Sequence, residues 1–192
     1  MPRTPRTRRS PSPPPPPDGS APAALDCAKE DAYRWIARRT RTREEVRAKL
    51  RRRGHREDVI EETLTHLAGL GYVDDAAFAR EWCRCRLESH PVGARALRRE
   101  LIEKGVAPAL SEAALAEAFE GADEADLATR LALDRAGKGL DLQTPKGLRR
   151  LRDFLLRRGF SSESVHEALA AVASPTADPP AWEEPDGVPH ED

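Results

Sequence analysis

Aromatic residues are scarce in this chain, at 5% against 34% charged residues. A large aromatic-centred core is therefore excluded, and burial has to come from aliphatic side chains spread over many short elements. Long apolar runs are missing, which excludes a transmembrane helix. Cysteine is rare. Cys27, Cys83 and Cys85 are odd in number, with two of them one residue apart, and make no disulfide framework. A reducing cytoplasm is the expected compartment. Phosphate-loop, nucleophile-elbow and zincin motifs are also absent; "GKGLDLQTPKG" does not match the first of these. The histidines, His55, His66, His90, His166 and His190, are scattered. With no catalytic, cofactor or metal site assembled, the chain does not read as an enzyme. Arg8-Arg9 is followed by no apolar segment, which excludes a twin-arginine export signal.

Charge is present in quantity and unevenly placed. Residues 27–56 hold twelve Lys and Arg against four acids, whereas residues 174–192 hold six acids and no Lys or Arg. A concentrated basic segment attracts a polyanion or an acidic protein surface; a solvated helix face is the alternative. Most of the 17 prolines lie in residues 1–22, near helix starts or in 174–192. Residues 1–25 and 174–192 are expected to be disordered, a Pro-rich leader and an acidic tail, because proline and polar residues cannot bury a core.

Between them the sequence reads as helix throughout. Ala, Leu, Arg and Glu dominate, apolar residues recur at spacings of three and four, and no alternating strand pattern stands out. Three segments align without gaps around a glycine: "VRAKLRRRGHREDVIEETL" (46–64), "LRRELIEKGVAPALSEAAL" (97–115) and "LRDFLLRRGFSSESVHEAL" (151–169). Leu50, Leu101 and Leu155 stand four before the glycine, and Arg47, Arg98 and Arg152 seven before it. Gly54, Gly105 and Gly159 suit the left-handed residue that ends a helix, with the next residue packing back on the leucine. Val106 and Phe160 suit that contact; His55 suits it poorly. Thr42 with Glu45 reads as a capping box, Thr144-Pro145 as an N-cap before a first-turn proline, and Ser161 or Ser162 as the last cap. An amphipathic segment precedes each repeat, at 27–40, 75–88 and 123–137. The expected architecture is all-α: three tandem three-helix repeats, 26–72, 73–121 and 122–173, in an elongated array.

The stretch "LGYVDDAAFAREWCRCRL" holds paired acids and paired thiols. Gly71 stops a helix with Tyr72 packing on Leu67. Asp74 is the N-cap of the next helix, Asp75 its first residue, where negative charge suits the dipole, and Val73 with Phe78 forms a hydrophobic staple. A metal or acid–base role for the two acids is the alternative. Phe78, Trp82 and Cys85 share a helical face and are expected to be buried. The C-x-C pair lacks zinc-knuckle spacing, with His90 the one extra ligand nearby.

Arginines remain. Arg80 and Arg84 are four apart, as are Arg47 and Arg51, and like charges at that spacing destabilise an isolated helix by about 0.2–0.5 kcal/mol per pair. Their accumulation suggests an external anion. The pairs Glu45–Lys49, Glu100–Lys104 and Arg149–Asp153 are expected to neutralise locally. Arg47, Arg98 and Arg152 either hold neighbouring helices or face a partner. Arg51, Arg52, Arg84, Arg99, Arg157 and Arg158 are the stronger contact candidates, with Arg80 beside Arg84.

"GYVDDAAFAREWCRCRL" followed by "PVGARALRRELIEKGV" resembles the signature of the RecX family of regulatory proteins, and "LRRLRDFLLRRGFSSESVHEAL" is similar to that family's third repeat. The resemblance spans roughly residues 28–172; His55 departs from it. It implies three tandem three-helix repeats and no catalysis or cofactor. It implies a cytoplasmic monomer that binds the RecA recombinase and its DNA filaments. Such binding inhibits filament growth, ATP hydrolysis, strand exchange and co-protease activity, and so modulates recombination, DNA repair and the SOS response. Carried over residue by residue, the family motif marks scaffold positions: Gly54, Tyr72, Asp74, Asp75, Phe78, Trp82, Gly93, Leu101, Gly105 and Gly159. The basic faces of the first two repeats are the expected anchors, with DNA phosphates a further contact. A stand-alone DNA-binding protein is the alternative.

Overall fold

In a computed structural model, residues 21–120, 123–142 and 144–173 are described. The expected disordered segments, but for residues 21–25, lie outside them. Among the described residues there are nine helices and no strands. They are α1 (Ala21–Ile36), α2 (Arg43–Arg52), α3 (Glu57–Gly69), α4 (Asp75–Ser89), α5 (Ala94–Glu103), α6 (Pro108–Phe119), α7 (Glu124–Gly137), α8 (Pro145–Arg157) and α9 (Ser162–Ala173). The helix α1 starts inside the expected leader, because Pro22 occupies its first turn, where the missing N–H costs nothing.

The helices fall into trios in chain order. In the first, α1, α2 and α3 all touch; in the second, α4 packs along α6; in the third, α7 lies on α9 and both touch α8. By compactness the chain divides into two units. One holds α1–α4, the body of α5 from Ala96, and α6; the other holds residues 91–95 and α7–α9.

The first trio shows how such short helices are held. Ala28 and Ala32 let α1 approach closely, and Val46, Leu50, Val59, Ile60, Leu64, Leu67 and Val73 complete a buried cluster. Each fully buried Val, Leu or Ile contributes about 1.5–3 kcal/mol. In the third trio, Leu151, Leu155, Phe160 and Val165 do the same work.

Helix ends follow the glycine pattern. Gly54, Gly71, Gly105 and Gly159 have positive φ. The residue after each returns its N–H to the carbonyl five before it: His55 to Leu50, Tyr72 to Leu67, Val106 to Leu101 and Phe160 to Leu155. This is the Schellman closure. Val106 and Phe160 are buried, as that motif's apolar contact requires. Tyr72 differs: it is 54% exposed, and its ring stands edge-on to Tyr33 at 5.6 Å. Starts are equally local. Oxygens of Thr42, Asp74, Thr144 and Ser161 accept the N–H of Glu45, Ala77, Gly147 and Ser164.

Candidate functional site

The acids of the "GYVDD" stretch have separate tasks. Asp74 caps its own helix, and Val73 and Phe78 are buried beside it. Asp75 reaches to another helix and accepts the N–H of Arg43, the first residue of α2, at 2.7 Å. Burial pushes the Asp75 carboxyl above its ordinary pKa, with the Arg43 N–H and charge opposing. Beside it, Thr42 donates its hydroxyl to the Lys104 carbonyl at 2.6 Å, and the positive-φ Gly105 lies against Glu44. The first and second trios are thereby locked through backbone groups.

The other unit repeats this arrangement. Glu124, the first residue of α7, accepts the N–H of Ala94 at 2.8 Å, and also the Ser164 hydroxyl. The N–H of Gly93 donates to the Arg158 carbonyl. A Cβ on Gly93 would strike the backbone of Gly159 and Phe160, so only glycine fits there. Gly93, Gly105, Gly159, Asp75 and buried Leu101 therefore have structural work that accounts for them.

The two thiols correct the sequence reading. Cys83 is buried, and burial raises its pKa to about 11, whereas Cys85 is exposed beside Glu81. The buried face of α4 runs through Phe78, Ala79 and Cys83, with Trp82 at its edge, stacked on Phe78. Cys85 is two residues further round and leaves the core. A different cluster brings Cys27, Asp31 and His55 together. There Asp31 takes His55 at 3.1 Å and the guanidinium groups of Arg53 and Arg34 at 3.3 Å each. Two cations on one carboxylate oppose a metal ion. The contact also accounts for His55 after Gly54: its side chain is buried through a polar partner.

The arginines divide into bound and open. Arg47 donates to Glu61 at 2.6 Å and to Glu44 at 2.7 Å, tying α2 to α3. These hydrogen bonds raise the Arg47 pKa and lower that of Glu61. Arg98 ties α5 to α6 through Glu112. In the third trio His166 occupies the aligned acid's place, and Arg152 pairs with neighbouring Asp153. Arg51 is neutralised by Glu57, and Arg84 by Glu81 and Glu88. The Arg84 hydrogen bond is the main reason the Glu81 pKa falls to about 2. Arg158 is half-buried over the Phe154 ring.

None of the three expected local pairs forms. Glu45 goes to Arg39, Arg41 and Lys104. Glu100 takes the Trp82 indole and Arg86 instead. Its burial raises its pKa, but those two hydrogen bonds bring the net below the ordinary value. Asp153 is taken by Arg152.

Of the predicted contact residues, Arg80, Arg99 and Arg157 are exposed and make no ion pair among the described residues, and exposed Arg52 bonds only the Ala48 carbonyl. Arg80 lines an open groove between α4 and α6 with Ala77, Leu87 and Ala114. Sequence reasoning missed Arg95, Lys146, Arg149 and Arg150, which are likewise exposed and without an acid partner among the described residues. A signal was available: Arg95 and Arg149 both stand ten before their glycines, and His166 breaks the acid column.

The chain matches three family descriptions in succession: the RecX first three-helix domain over residues 28–67, the second over 74–115 and the third over 122–169. It is 38% identical over 157 residues to the regulatory protein RecX of Mycobacterium sp. (strain KMS), covering 78% of this chain and 84% of that one. It is 35% identical to the protein of that name from Halorhodospira halophila, covering 79% and 92%. The fold is similar to the crystal structure of RecX from Lactobacillus salivarius, at TM-score 0.68 and 22% identity over 78% of this chain and 96% of that one.

Proposed function

The chain belongs to the RecX family of regulatory proteins, and from that premise we propose that it binds the RecA recombinase and RecA–DNA filaments and inhibits their activity. Members of the family are regulators and not enzymes. The reading places the chain in the cytoplasm as a monomer. Among the described residues no helix is long and apolar enough to cross a membrane.

One observation carries the mode of binding. Exposed cations without acid partners recur on the middle helix of every trio: Arg52 on α2, Arg95 and Arg99 on α5, and Lys146, Arg149, Arg150 and Arg157 on α8. Leaving so many guanidinium groups unpaired beside abundant carboxylates suits an external anion. Several weak sites on one chain add by multivalency along a repeating partner. On this reading Arg52, Arg80, Arg99 and Arg157 make contacts with RecA or with DNA phosphates. Arg51 and Arg84 would first have to leave their carboxylates.

The test is RecA-dependent ATP hydrolysis on single-stranded DNA, with this protein titrated over several salt concentrations. Inhibition well below stoichiometric amounts is expected. Reversal to Glu of Arg52, Arg99 and Arg157 together should abolish it with helicity unchanged. Full inhibition by that folded variant would overturn the surface assignment. Absence of any effect on RecA, alongside tight binding to duplex DNA, would favour a stand-alone DNA-binding protein.

A further inference from the structure

The cationic stripe on α8 has a ligand within its own chain: we infer that the acidic segment 174–192 docks on α8 and competes there with external polyanions. Lys146, Arg149, Arg150 and Arg157 are exposed, at spacings of three, four and seven that place them on one side of the helix. None has an ion-pair or hydrogen-bond partner among the described residues. Asp153, the acid on that side, is held by Arg152. Leu156 adds an apolar spot, 39% exposed.

The segment is complementary in charge and in kind. It carries Asp178, Glu183, Glu184, Asp186, Glu191 and Asp192, with no Lys or Arg. In "AWEEPDG" the acids follow Trp182, which suits both the leucine spot and stacking on a guanidinium. Reach is not limiting. The segment follows α9, which packs on α8 in the same unit. Its 19 residues extend to roughly 60 Å at about 3.3 Å each, while the 13-residue α8 is about 20 Å long. A tether of this kind holds its ligand at about millimolar effective concentration, enough for a weak acidic motif to fill the stripe. The arginines of α2 offer no equal site, because Arg47 and Arg51 already hold carboxylates. Docking itself requires no RecA; the inference rests on the proposed function only in naming what is displaced.

The test compares the full chain with a variant in which the six acids become amides: Asp178→Asn, Glu183→Gln, Glu184→Gln, Asp186→Asn, Glu191→Gln and Asp192→Asn. Amide nitrogen and arginine side-chain NMR shifts should differ between the two over residues 145–157, and the difference should vanish at high salt. Unchanged α8 spectra would overturn the docking. For the competition, a fluorescent oligothymidylate is titrated at low salt, and amidation should tighten binding about tenfold. With Lys146, Arg149, Arg150 and Arg157 replaced by Gln, that gain should vanish. An equal gain in both backgrounds would mean a net-charge effect and refute the competition, as would no gain at all. If the Gln variant fails to fold, the NMR comparison decides. Failure to inhibit RecA would sink the proposed function and leave these readouts standing.

Discussion

The helices α2 and α8 occupy the same place in their trios, yet their arginines live differently. On α2, Arg47 is clasped by Glu44 and Glu61 and Arg51 by Glu57, so these two arginines tie α2 to the α3 side while Arg52 stays open. On α8, Arg152 finds only its neighbour Asp153, and Arg149, Arg150 and Arg157 have no acid at all among the described residues. Sequence differences in aligned columns account for this: Glu61 and Glu112 are followed by His166, Glu57 is matched by Ser162, and Glu44 and Glu45 are matched by Arg149 and Arg150. The helix starts differ too. The first N–H of α2 is satisfied by Asp75, whereas α8 begins with Pro145, which has none to offer. One scaffold thus yields a tied helix and an open one.

The largest expected effect is at the tied start. Asp75→Ala should destabilise the protein by about 1–3 kcal/mol, because the Arg43 N–H loses a half-buried acceptor. Asp75→Asn keeps the acceptor and removes a charge that burial disfavours, so most of that loss should disappear. Urea unfolding checks both, and equal losses would mean that charge, rather than the hydrogen bond, holds the joint.

Next comes the aligned arginine. Arg47→Ala should cost about 1 kcal/mol, near the upper end for partly exposed ion pairs, whereas Arg152→Ala should fall within about 0.5 kcal/mol of zero. The Arg47 contribution should also depend on pH. Arg47 lowers the Glu61 pKa on folding, so this contribution is fully present above the unfolded glutamate's pKa. It should fade as pH falls through the lower folded value. Melting temperatures of both variants at neutral and acid pH test this; an Arg47 effect indifferent to pH would remove Glu61 from the account.

The smallest effect rebuilds the column. His166→Glu should let Arg152 pair across to α9 as Arg47 does to α3, adding a few tenths of a kcal/mol. The gain should be absent in an Arg152→Ala background, which a double-mutant cycle measures.

Much of this molecule is legible in its sequence. The stops at Gly54, Gly105 and Gly159, the caps at Thr42, Asp74 and Thr144, and the three-trio organisation all follow from signals within a few residues. The two thiols are not separable in the sequence, because Phe78 and Trp82 define a face that admits Cys85, whereas the packing of α4 turns Cys83 inward. His55 looked like a poor cap residue because its partner, Asp31, lies on α1. The interaction surface was the least legible part. Glu45, expected to pair with Lys49, instead meets Arg39 and Arg41 from the connection before α2 and Lys104 from the residue after α5.

What the sequence determined by itself is the set of elements, their ends and their family, since helix periodicity, capping and glycine stops act over one or two turns. What only the tertiary structure decided is which charges remain available. An exposed arginine gains little from any one neighbour, so the nearest well-aligned carboxylate wins, and packing sets where it stands. Glu61 lies 14 residues from Arg47 in the chain and 2.6 Å from it in the fold; on α8 the acid one turn from Arg149 and Arg150, Asp153, is taken by Arg152.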